Sequence, residues 1–283
     1  MRTIIALVSN PQEARLFIEY SVNLAESFTS TLHILHVEKP ATDPLGTANL
    51  SGQAYEQIQQ GMLNRSMQAK QELRKYVEDL MKQMPLKVPV TVSAEIGKES
   101  VVLNRIVKNP NEYMLVLENQ QPGSAWFSDE DTRSIALSVS CPVWIFPRSF
   151  NSRSFDRIVY VTDYNKEDMQ VLKSLVKTMQ PFEPQVIALH ITDDLDFDSK
   201  VKQKGFQEMI VEQTSYERIQ VETLFENDSE DMAGMVHAYC DIAGADLIVM
   251  LQENRSFLQK LFTKSTAEKI LSHIELPVLI YNF

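Results

Sequence analysis

The segments TIIALVSN (residues 3–10) and RIVYVTDY (157–164) decide the fold, because each is an apolar strand followed by the same kind of polar turn. The strands that come next, TLHILHVE (31–38) and QVIALHIT (185–192), stand at the same separation of 154 positions. A separation that is kept without a gap from one strand to the next indicates an internal duplication.

The helix between these strands is repeated as well. Its apolar residues lie on one face at helical spacing, and apolar residues recur 154 positions later. The face comprises Phe17, Ile18, Ser21, Ala25 and Phe28 in the first copy, all apolar except Ser21, and Val171, Leu172, Leu175, Met179 and Phe182 in the second. By the same offset Ser9 corresponds to Asp163, and His36 corresponds to His190.

The ends of the two halves also match, at a shorter separation. EYMLVL (112–117) resembles ADLIVM (245–250), and CPVWIF (141–146) resembles LPVLIY (276–281), at offsets of 133 to 135. The shorter offset places about 20 additional residues in the first copy, where residues 55–84 are predicted to form one long helix that projects past the sheet edge. Its apolar stripe comprises Tyr55, Ile58, Met62, Leu73, Val77, Leu80 and Met84.

Each half therefore alternates strands and helices, and its strands are rich in Val, Ile and Leu without a polar face. Such strands are typical of parallel sheets that are covered by helices on both sides. We predict an α/β protein with two tandem doubly wound domains, 1–149 and 150–283, each with a five-stranded parallel sheet. The polar segment PRSFNSRSF (147–155) is the expected connector.

The composition excludes several classes of protein. The net charge is -11 and the pI is near 5.0, which disfavours nucleic acid and anionic membrane surfaces as partners. Apolar runs do not exceed strand length, so no membrane span is expected. Cys141 and Cys240 have no CxxC spacing and are predicted to be small core residues of a cytoplasmic protein.

The strand followed by Thr162-Asp163, together with the segment VMLQENRSFLQKLFTKSTAEKI (249–270) and the final LPVLI, resembles the universal stress protein family in both order and spacing. The resemblance covers nearly the whole chain twice, so it implies a tandem member. It further implies a strand order of 3-2-1-4-5 in each half. Because members of the family pair across their last strand, the two halves are expected to pair within the chain, and a homodimer is also expected.

The resemblance raises the question of nucleotide binding. ATP-binding members carry a loop after the fourth strand with the pattern Gly, two residues, Gly, nine residues, Gly-Ser/Thr, in which glycine lets backbone N–H groups approach phosphates. The chain has only eight glycines. The corresponding segment of the first half contains Gly123 alone, and the second half has no glycine after Gly244. The complete pattern is absent from both halves.

The first half also lacks the acidic residue of the family, since Ser9 takes its place. The Gly-Ser position of the family falls on Asp129 and Glu130, which would set carboxylates where phosphates bind. Alternatively, Ser128 or Asp129 caps the helix that follows, and the acidic residues complement the dipole of its first turn. We expect no triphosphate in this half.

The second half keeps more of the family's site. Asp163 matches the acidic residue after the first strand, Ile191 matches the backbone contact after the second strand, and Ser265 matches the Ser that follows the last glycine. Lys264 replaces that glycine, and Arg255, Lys260 and Lys264 make the loop basic. Asp163, Ile191, Arg255, Lys264 and Ser265 are therefore the candidate cofactor-binding residues, for ATP, ADP or another anion.

Two alternatives remain for these residues. The basic loop is also consistent with a solvated surface around Phe257 and Phe262, and Asp163 is consistent with the N-cap region of the next helix. His36 and His190 end equivalent strands, which favours packed, hydrogen-bonded residues over catalytic bases. No metal-binding or catalytic motif stands out.

The expected function is a non-catalytic, stress-associated regulatory protein that acts by dimerisation or by binding an unknown protein partner, without a cofactor. The alternative is a nucleotide- or anion-binding switch in the second domain. A slow ATP hydrolase is a third possibility, but the sequence offers it no positioned base or metal cluster.

Overall fold

A computed structural model describes residues 2–40, 52–119, 130–147, 154–192, 197–225, 232–252 and 276–282. The chain divides into two compact units. Unit 1 comprises Met1–Glu118 and Ser138–Cys141, and unit 2 comprises Asn119–Leu137 and Pro142–Phe283. The predicted division between residues 149 and 150 lies outside the described residues and stays a prediction.

Unit 1 contains parallel strands in the order β3-β2-β1-β4. The strands are β1 (Thr3–Val8), β2 (Thr31–Glu38), β3 (Val90–Ile96) and β4 (Tyr113–Asn119). The helices are α1 (Arg15–Ser27), α2 (Gly52–Gln83) and α3 (Glu99–Ile106). Strands β1, β2 and β4 are mostly buried, as expected for strands with helices on both faces.

The long helix of unit 1 was predicted from its apolar stripe. It forms as α2, with 32 residues. The middle of the stripe, from Met62 to Leu80, is buried, but Tyr55 and Met84 at its ends are 48% and 37% exposed. The buried part of the stripe is therefore shorter than the apolar stripe in the sequence, because only the middle turns of the helix lie over the strands.

Unit 2 contains the strands in the order β5-β10-β9-β6-β7-β8. Its strands are β5 (Val143–Pro147), β6 (Arg157–Val161), β7 (Gln185–Thr192), β8 (Ile219–Phe225), β9 (Leu247–Leu251) and β10 (Val278–Tyr281). Its helices are α4 (Glu130–Ser138), α5 (Lys166–Met179), α6 (Phe197–Thr214) and α7 (Met232–Ala243). The pairs β10–β9, β9–β6, β6–β7 and β7–β8 are parallel, whereas β5 and β10 are antiparallel.

The strand order corrects one prediction. Two separate five-stranded sheets were predicted, but within unit 2 the fifth strand of the first half, β5, joins the strands of the second half, so that the order β5-β10-β9-β6-β7-β8 has six strands and not five. The fifth strands of the two halves pair with each other, with Leu279 opposite Trp144 and Ile280 opposite Val143. Unpaired apolar strands expose backbone groups that favour such pairing.

The duplication is visible in the hydrogen bonds. Nδ1 of His36 lies 2.8 Å from the carbonyl oxygen of Val8, and Nδ1 of His190 lies 2.8 Å from that of Thr162. These two bonds join residues related by the same offset. The prediction that both histidines are hydrogen-bonded is confirmed, although each lies two residues before the end of its strand and His190 is only half-buried.

The cysteines lie in the core. Cys141 and Cys240 are both buried, and neither forms a disulfide. Burial raises the pKa of the Cys141 thiol to about 11 and that of the Cys240 thiol to about 12. Within the described ranges, no helix combines the length and the apolar character that crossing a membrane requires.

Candidate functional site

In open α/β sheets, ligands bind beyond the carboxyl ends of the strands, where the strand order reverses. In unit 2 that point lies at β6, which has β7 on one side and β9 on the other. The turn that leaves β6 contains Thr162, Asp163, Tyr164 and Asn165, and α5 begins at Lys166. This turn is therefore the centre of the candidate site.

A capping box closes the first turn of α5. Asn165 is the N-cap, its side chain accepts from the backbone of Asp168, and the Asp168 side chain accepts from the backbone N–H of Asn165 at 2.8 Å. Such a reciprocal pair satisfies two donors at the start of a helix. The alternative prediction placed Asp163 in the N-cap region. Asp163 lies two residues before the N-cap Asn165, and the capping side chains are those of Asn165 and Asp168.

The Asp168 carboxylate is the best-enclosed polar group of the site. Its relative exposure is 0%, and it also accepts hydrogen bonds from Tyr160 Oη at 2.5 Å and from Thr162 Oγ1 at 2.7 Å. A buried carboxylate is stable only when hydrogen bonds replace the water that it has lost. Here three donors do so, and they connect the end of β6 to the start of α5.

Tyr160 is held as a hydrogen-bond donor in this cluster. Burial, followed by the nearby negative charge of Asp168, raises the pKa of its phenol well above its ordinary value. The phenol therefore remains protonated at neutral pH. Its donated hydrogen bond to Asp168 is a fixed part of the structure.

Asp163 itself is half-buried between these anchored residues. Thr162 before it donates to Asp168 and, through the same hydroxyl, accepts from the backbone N–H of Tyr164 at 3.0 Å. The residues on both sides of Asp163 are thus fixed by hydrogen bonds.

Tyr164 covers the ends of the neighbouring strands. Its φ of 59° places it in the left-handed region, where a side chain is uncommon outside glycine, Asn and Asp. Its ring lies 4.2 Å from that of His190 and 4.7 Å from that of Phe206, and its hydroxyl lies 3.0 Å from Thr223 Oγ1. These contacts across β7, α6 and β8 hold the turn in its strained conformation.

Ile191 lies inside β7, one residue before its end, and its side chain is buried. The N–H of Gln185 and the carbonyl of Leu189 bond toward β6, so alternation along the strand turns the backbone of Ile191 to the same side. The β6–β7 pairing stops at Val161 and Leu189. The backbone of Ile191 therefore faces the space beyond the end of β6, next to the Asp163 turn.

The remaining predicted site residues, Arg255, Lys264 and Ser265, lie outside the described residues. The same holds for Lys260, Phe257 and Phe262, so the alternative of a solvated loop stays open. Asp163 and Ile191 lie at the carboxyl ends of the neighbouring strands β6 and β7, and their role in binding a ligand remains a prediction from the sequence, as does the basic loop.

The equivalent turn of unit 1 has a different chemistry. Where the second half has Tyr160, Thr162 and Asp168, the first half has Ala6, Val8 and Ala14, all of them buried. Ser9, at the position of Asp163, is exposed. The polar cluster is therefore replaced by apolar packing, and the turn carries no carboxylate at this position.

An ion pair closes the end of β2 in unit 1. Arg65 of α2 lies 2.5 Å from one oxygen of Glu38, whose other oxygen lies 3.6 Å from His36 Nε2. Helix α4 begins at Glu130, whereas Asp129 and the predicted cap Ser128 lie outside the described residues. The long helix α2 thus contributes the cation Arg65, which is neutralised by Glu38 at the end of β2.

Sequence reasoning missed Tyr160, Thr162, Tyr164 and Asp168. Asp168 follows Asn165 by three residues at a helix start, and this spacing is the signature of a capping box. The signal was present for Asp168. Nothing in the pattern indicates that Tyr160, whose strand reads as uniformly apolar, donates to it.

Metal ligation has no support in the described part of the chain, where no group of three or more His, Cys, Asp or Glu residues could hold an ion.

Comparison with known proteins supports the family resemblance in part. Residues 154–282 match the model of the universal stress protein family. No curated protein matches the chain in sequence. The prediction of a universal stress domain is confirmed for the second half, whereas a second domain in the first half is supported by its fold and not by a family match.

Solved structures share the fold over the full length. A universal stress protein from Archaeoglobus fulgidus DSM 4304 is 14% identical, with a TM-score of 0.63 over 99% of this chain and 96% of its own. A functionally unknown protein from Pseudomonas aeruginosa PAO1 is 14% identical, with a TM-score of 0.62 over 100% and 92%. The cytoplasmic domain of a prokaryotic cation chloride cotransporter is 12% identical, with a TM-score of 0.54 over 99% and 94%.

Proposed function

We propose that this chain is a tandem universal stress protein with a regulatory, non-catalytic role in the cytoplasm, which acts by dimerisation or by binding a protein partner. In this proposal both halves descend from one domain, and neither keeps the glycine-rich loop that holds ATP in other members. The first half is a scaffold that binds no nucleotide.

The observation that carries the proposal is the inequality of two equivalent turns. The second half has a buried carboxylate, Asp168, that fixes the turn around Asp163. The first half has the apolar residues Ala6, Val8 and Ala14 at the matching positions. A pair of domains that share a fold but not a site is expected where one copy has kept only its structural role.

The pairing of β5 with β10 supports a role of the last strands in joining the two halves. These strands come from different halves in sequence, and the side chains of Trp144 and Leu279 are fully buried where they pair. We propose that the two halves pair through these strands within one chain. Dimerisation of the whole protein would then use a different surface.

A second candidate function is a nucleotide- or anion-binding switch in the second half. It is favoured by the fixed Asp163 turn and by the backbone of Ile191, which faces the same space. In this candidate the basic residues Arg255, Lys264 and Ser265 of the loop after β9 would contact the anion. Side chains would then take the part that glycine backbone has in other members.

Isothermal titration calorimetry with ATP and ADP separates the two candidates. The leading proposal expects no binding at micromolar ligand and no phosphate release above the blank. Binding at 1:1 stoichiometry would replace it with the switch. Two bound nucleotides per chain would overturn both, because the first half would then be a working site.

Point variants test whether nucleotide binding at 1:1 stoichiometry involves the Asp163 turn. If binding occurs, Asp163→Ala and Lys264→Ala should each weaken it, whereas Ser9→Ala at the matching position of the first half should leave it unchanged. Equal affinity in wild-type protein and Asp163→Ala would exclude the switch at this turn. Size-exclusion chromatography with light scattering tests the proposed homodimer independently.

A further inference from the structure

Unit 2 carries a groove at the amino ends of its strands, opposite to the carboxyl ends where the Asp163 turn lies. Helices α5 and α6 end there, at Met179 and Thr214, and strands β7 and β8 begin there. The groove has a volume of about 510 Å³ and is lined in part by Lys173, Lys177 and Arg218. Volumes of this size are typical of small-molecule pockets. We call it the basic groove.

The charges of the basic groove are not balanced. Its lining includes three cations and one carboxylate, Glu183. Lys173, Lys177 and Arg218 form no ion pair with any carboxylate of the described residues. The net charge of the chain is -11, but these three cations make the basic groove locally positive.

The two lysines repel each other. Lys173 and Lys177 are four residues apart on α5, so their side chains lie on one face, and like charges at this spacing destabilise a helix. Part of this charge complements the carbonyl end of the helix, where Lys177 lies in the last turn. An anion bound between the lysines would remove the remaining repulsion.

The walls of the groove are held in place without a ligand. Tyr216 donates a hydrogen bond to the carbonyl of Pro184 at 2.5 Å, and its backbone N–H donates to Thr214 Oγ1 at 3.2 Å. The carbonyl of Arg218 accepts from Val186 at 2.8 Å. The backbone that positions the Arg218 guanidinium is therefore ordered in advance, which reduces the entropy lost on binding.

We propose that the basic groove binds a small polyanion with phosphate or carboxylate groups. Arg218 supplies a planar guanidinium that donates hydrogen bonds to two anionic oxygens, and Lys173 and Lys177 supply point charges one helical turn apart. Val176 and Tyr216 add apolar lining next to them. This site is separate from the Asp163 turn, which lies at the carboxyl ends of the strands.

The test is calorimetric titration of the full chain with tripolyphosphate and, separately, with citrate. Tripolyphosphate is expected to bind at 1:1 stoichiometry, with an affinity that falls as salt increases. The double variant Lys177→Gln/Arg218→Gln should weaken binding at least about tenfold, because two charge-assisted contacts are lost. Citrate distinguishes a site for any polyanion from one that prefers phosphate.

The matched control is Lys202→Gln/Lys204→Gln, which removes the same charge from exposed positions of α6 outside the groove. It should leave the affinity within about twofold, since only the distant field changes. If the first double variant unfolds, Lys173→Gln alone takes its place. The proposal is overturned if neither anion binds at millimolar concentration, or if groove and control variants bind equally.

The groove can also be distinguished from the nucleotide candidate. Asp163→Ala should not change tripolyphosphate binding, because that residue lies at the other edge of the strands. Loss of binding in Asp163→Ala, with no change in the Lys177→Gln/Arg218→Gln variant, would assign the anion to the Asp163 turn and overturn the groove.

Discussion

The hydroxyl of Tyr160 lies 2.5 Å from Oδ1 of Asp168, and both side chains are fully buried. Oδ2 of the same carboxylate accepts from Thr162 and from the backbone of Asn165. One carboxylate therefore joins the last residues of β6 to the first turn of α5. The conformation of the Asp163 turn, which lies between them, depends on it.

Replacing Asp168 should destabilise the protein. Asp168→Ala leaves two buried hydroxyl donors and the part-buried N–H of Asn165 without their acceptor, so the free energy of unfolding should fall by about 3 kcal/mol. Asp168→Asn keeps one carbonyl oxygen as acceptor and should cost about half as much. Urea unfolding followed by circular dichroism at pH 7 measures both effects.

The control for this pair is Glu167→Gln, an exposed residue in the same helical turn. Its unfolding midpoint should match that of the wild-type protein. If Asp168→Ala unfolds at the same urea concentration as this control, the carboxylate does not anchor the turn.

Ionisation of Tyr160 should lower the free energy of unfolding at alkaline pH. Because burial raises the pKa of Tyr160 in the folded state, the unfolded chain loses this proton first. The contribution is complete below the unfolded pKa of about 10 and is lost as pH rises above it, by about 1.4 kcal/mol per pH unit for one proton.

Tyr160→Phe removes this titration, so its stability should fall less steeply with pH between about 10 and 11 than that of the wild-type protein. Tyr55→Phe, at an exposed tyrosine, is the control and should keep the wild-type slope. Urea unfolding at each pH gives the slopes. Identical slopes in wild-type and Tyr160→Phe protein would contradict a protonated, buried phenol.

Much of the fold could be predicted from the sequence, because local patterns determine its elements. The repeated strands around His36 and His190 and the long helix α2 follow from apolar periodicity and duplication. The pairing of the two last strands was expected only from the family resemblance and could not be predicted from periodicity. Trp144 and Leu279 have the apolar character of any buried strand residue, and periodicity does not say which strand lies opposite.

The candidate site was predictable in part. Asp163 and Ile191 were predicted from the resemblance to a family, and they lie at the carboxyl ends of the neighbouring strands β6 and β7. Tyr164 was not found, because its role depends on a left-handed backbone and on rings from β7 and α6. Contacts between elements that are far apart in sequence leave no local pattern.

The buried thiols should resist modification in the folded protein. Burial raises the pKa of Cys141 to about 11 and of Cys240 to about 12, so little thiolate exists at neutral pH. Reaction with a disulfide reagent at pH 8 should be slow without denaturant and reach two thiols per chain in urea. Rapid reaction of one thiol in the native state would show that its segment opens locally.

Two glutamines protect the outer edge of β8, the last strand of unit 2. Gln207 accepts from the backbone N–H of Val221 at 2.7 Å and donates to the carbonyl of Ile219 at 3.2 Å. Gln203 donates to the carbonyl of Val221 at 3.3 Å. Side chains of α6 thus occupy backbone groups with which another strand could pair.

Gln207→Leu should therefore increase self-association, because it frees one N–H and one carbonyl of an edge strand and adds apolar surface beside them. Gln170→Leu on α5 adds the same surface at an exposed position away from β8 and is the matched control. Sedimentation velocity over a range of concentrations should show larger species for Gln207→Leu alone. Equal association of the two variants would attribute the effect to the added leucine, and the glutamines would then have no protective role at the edge.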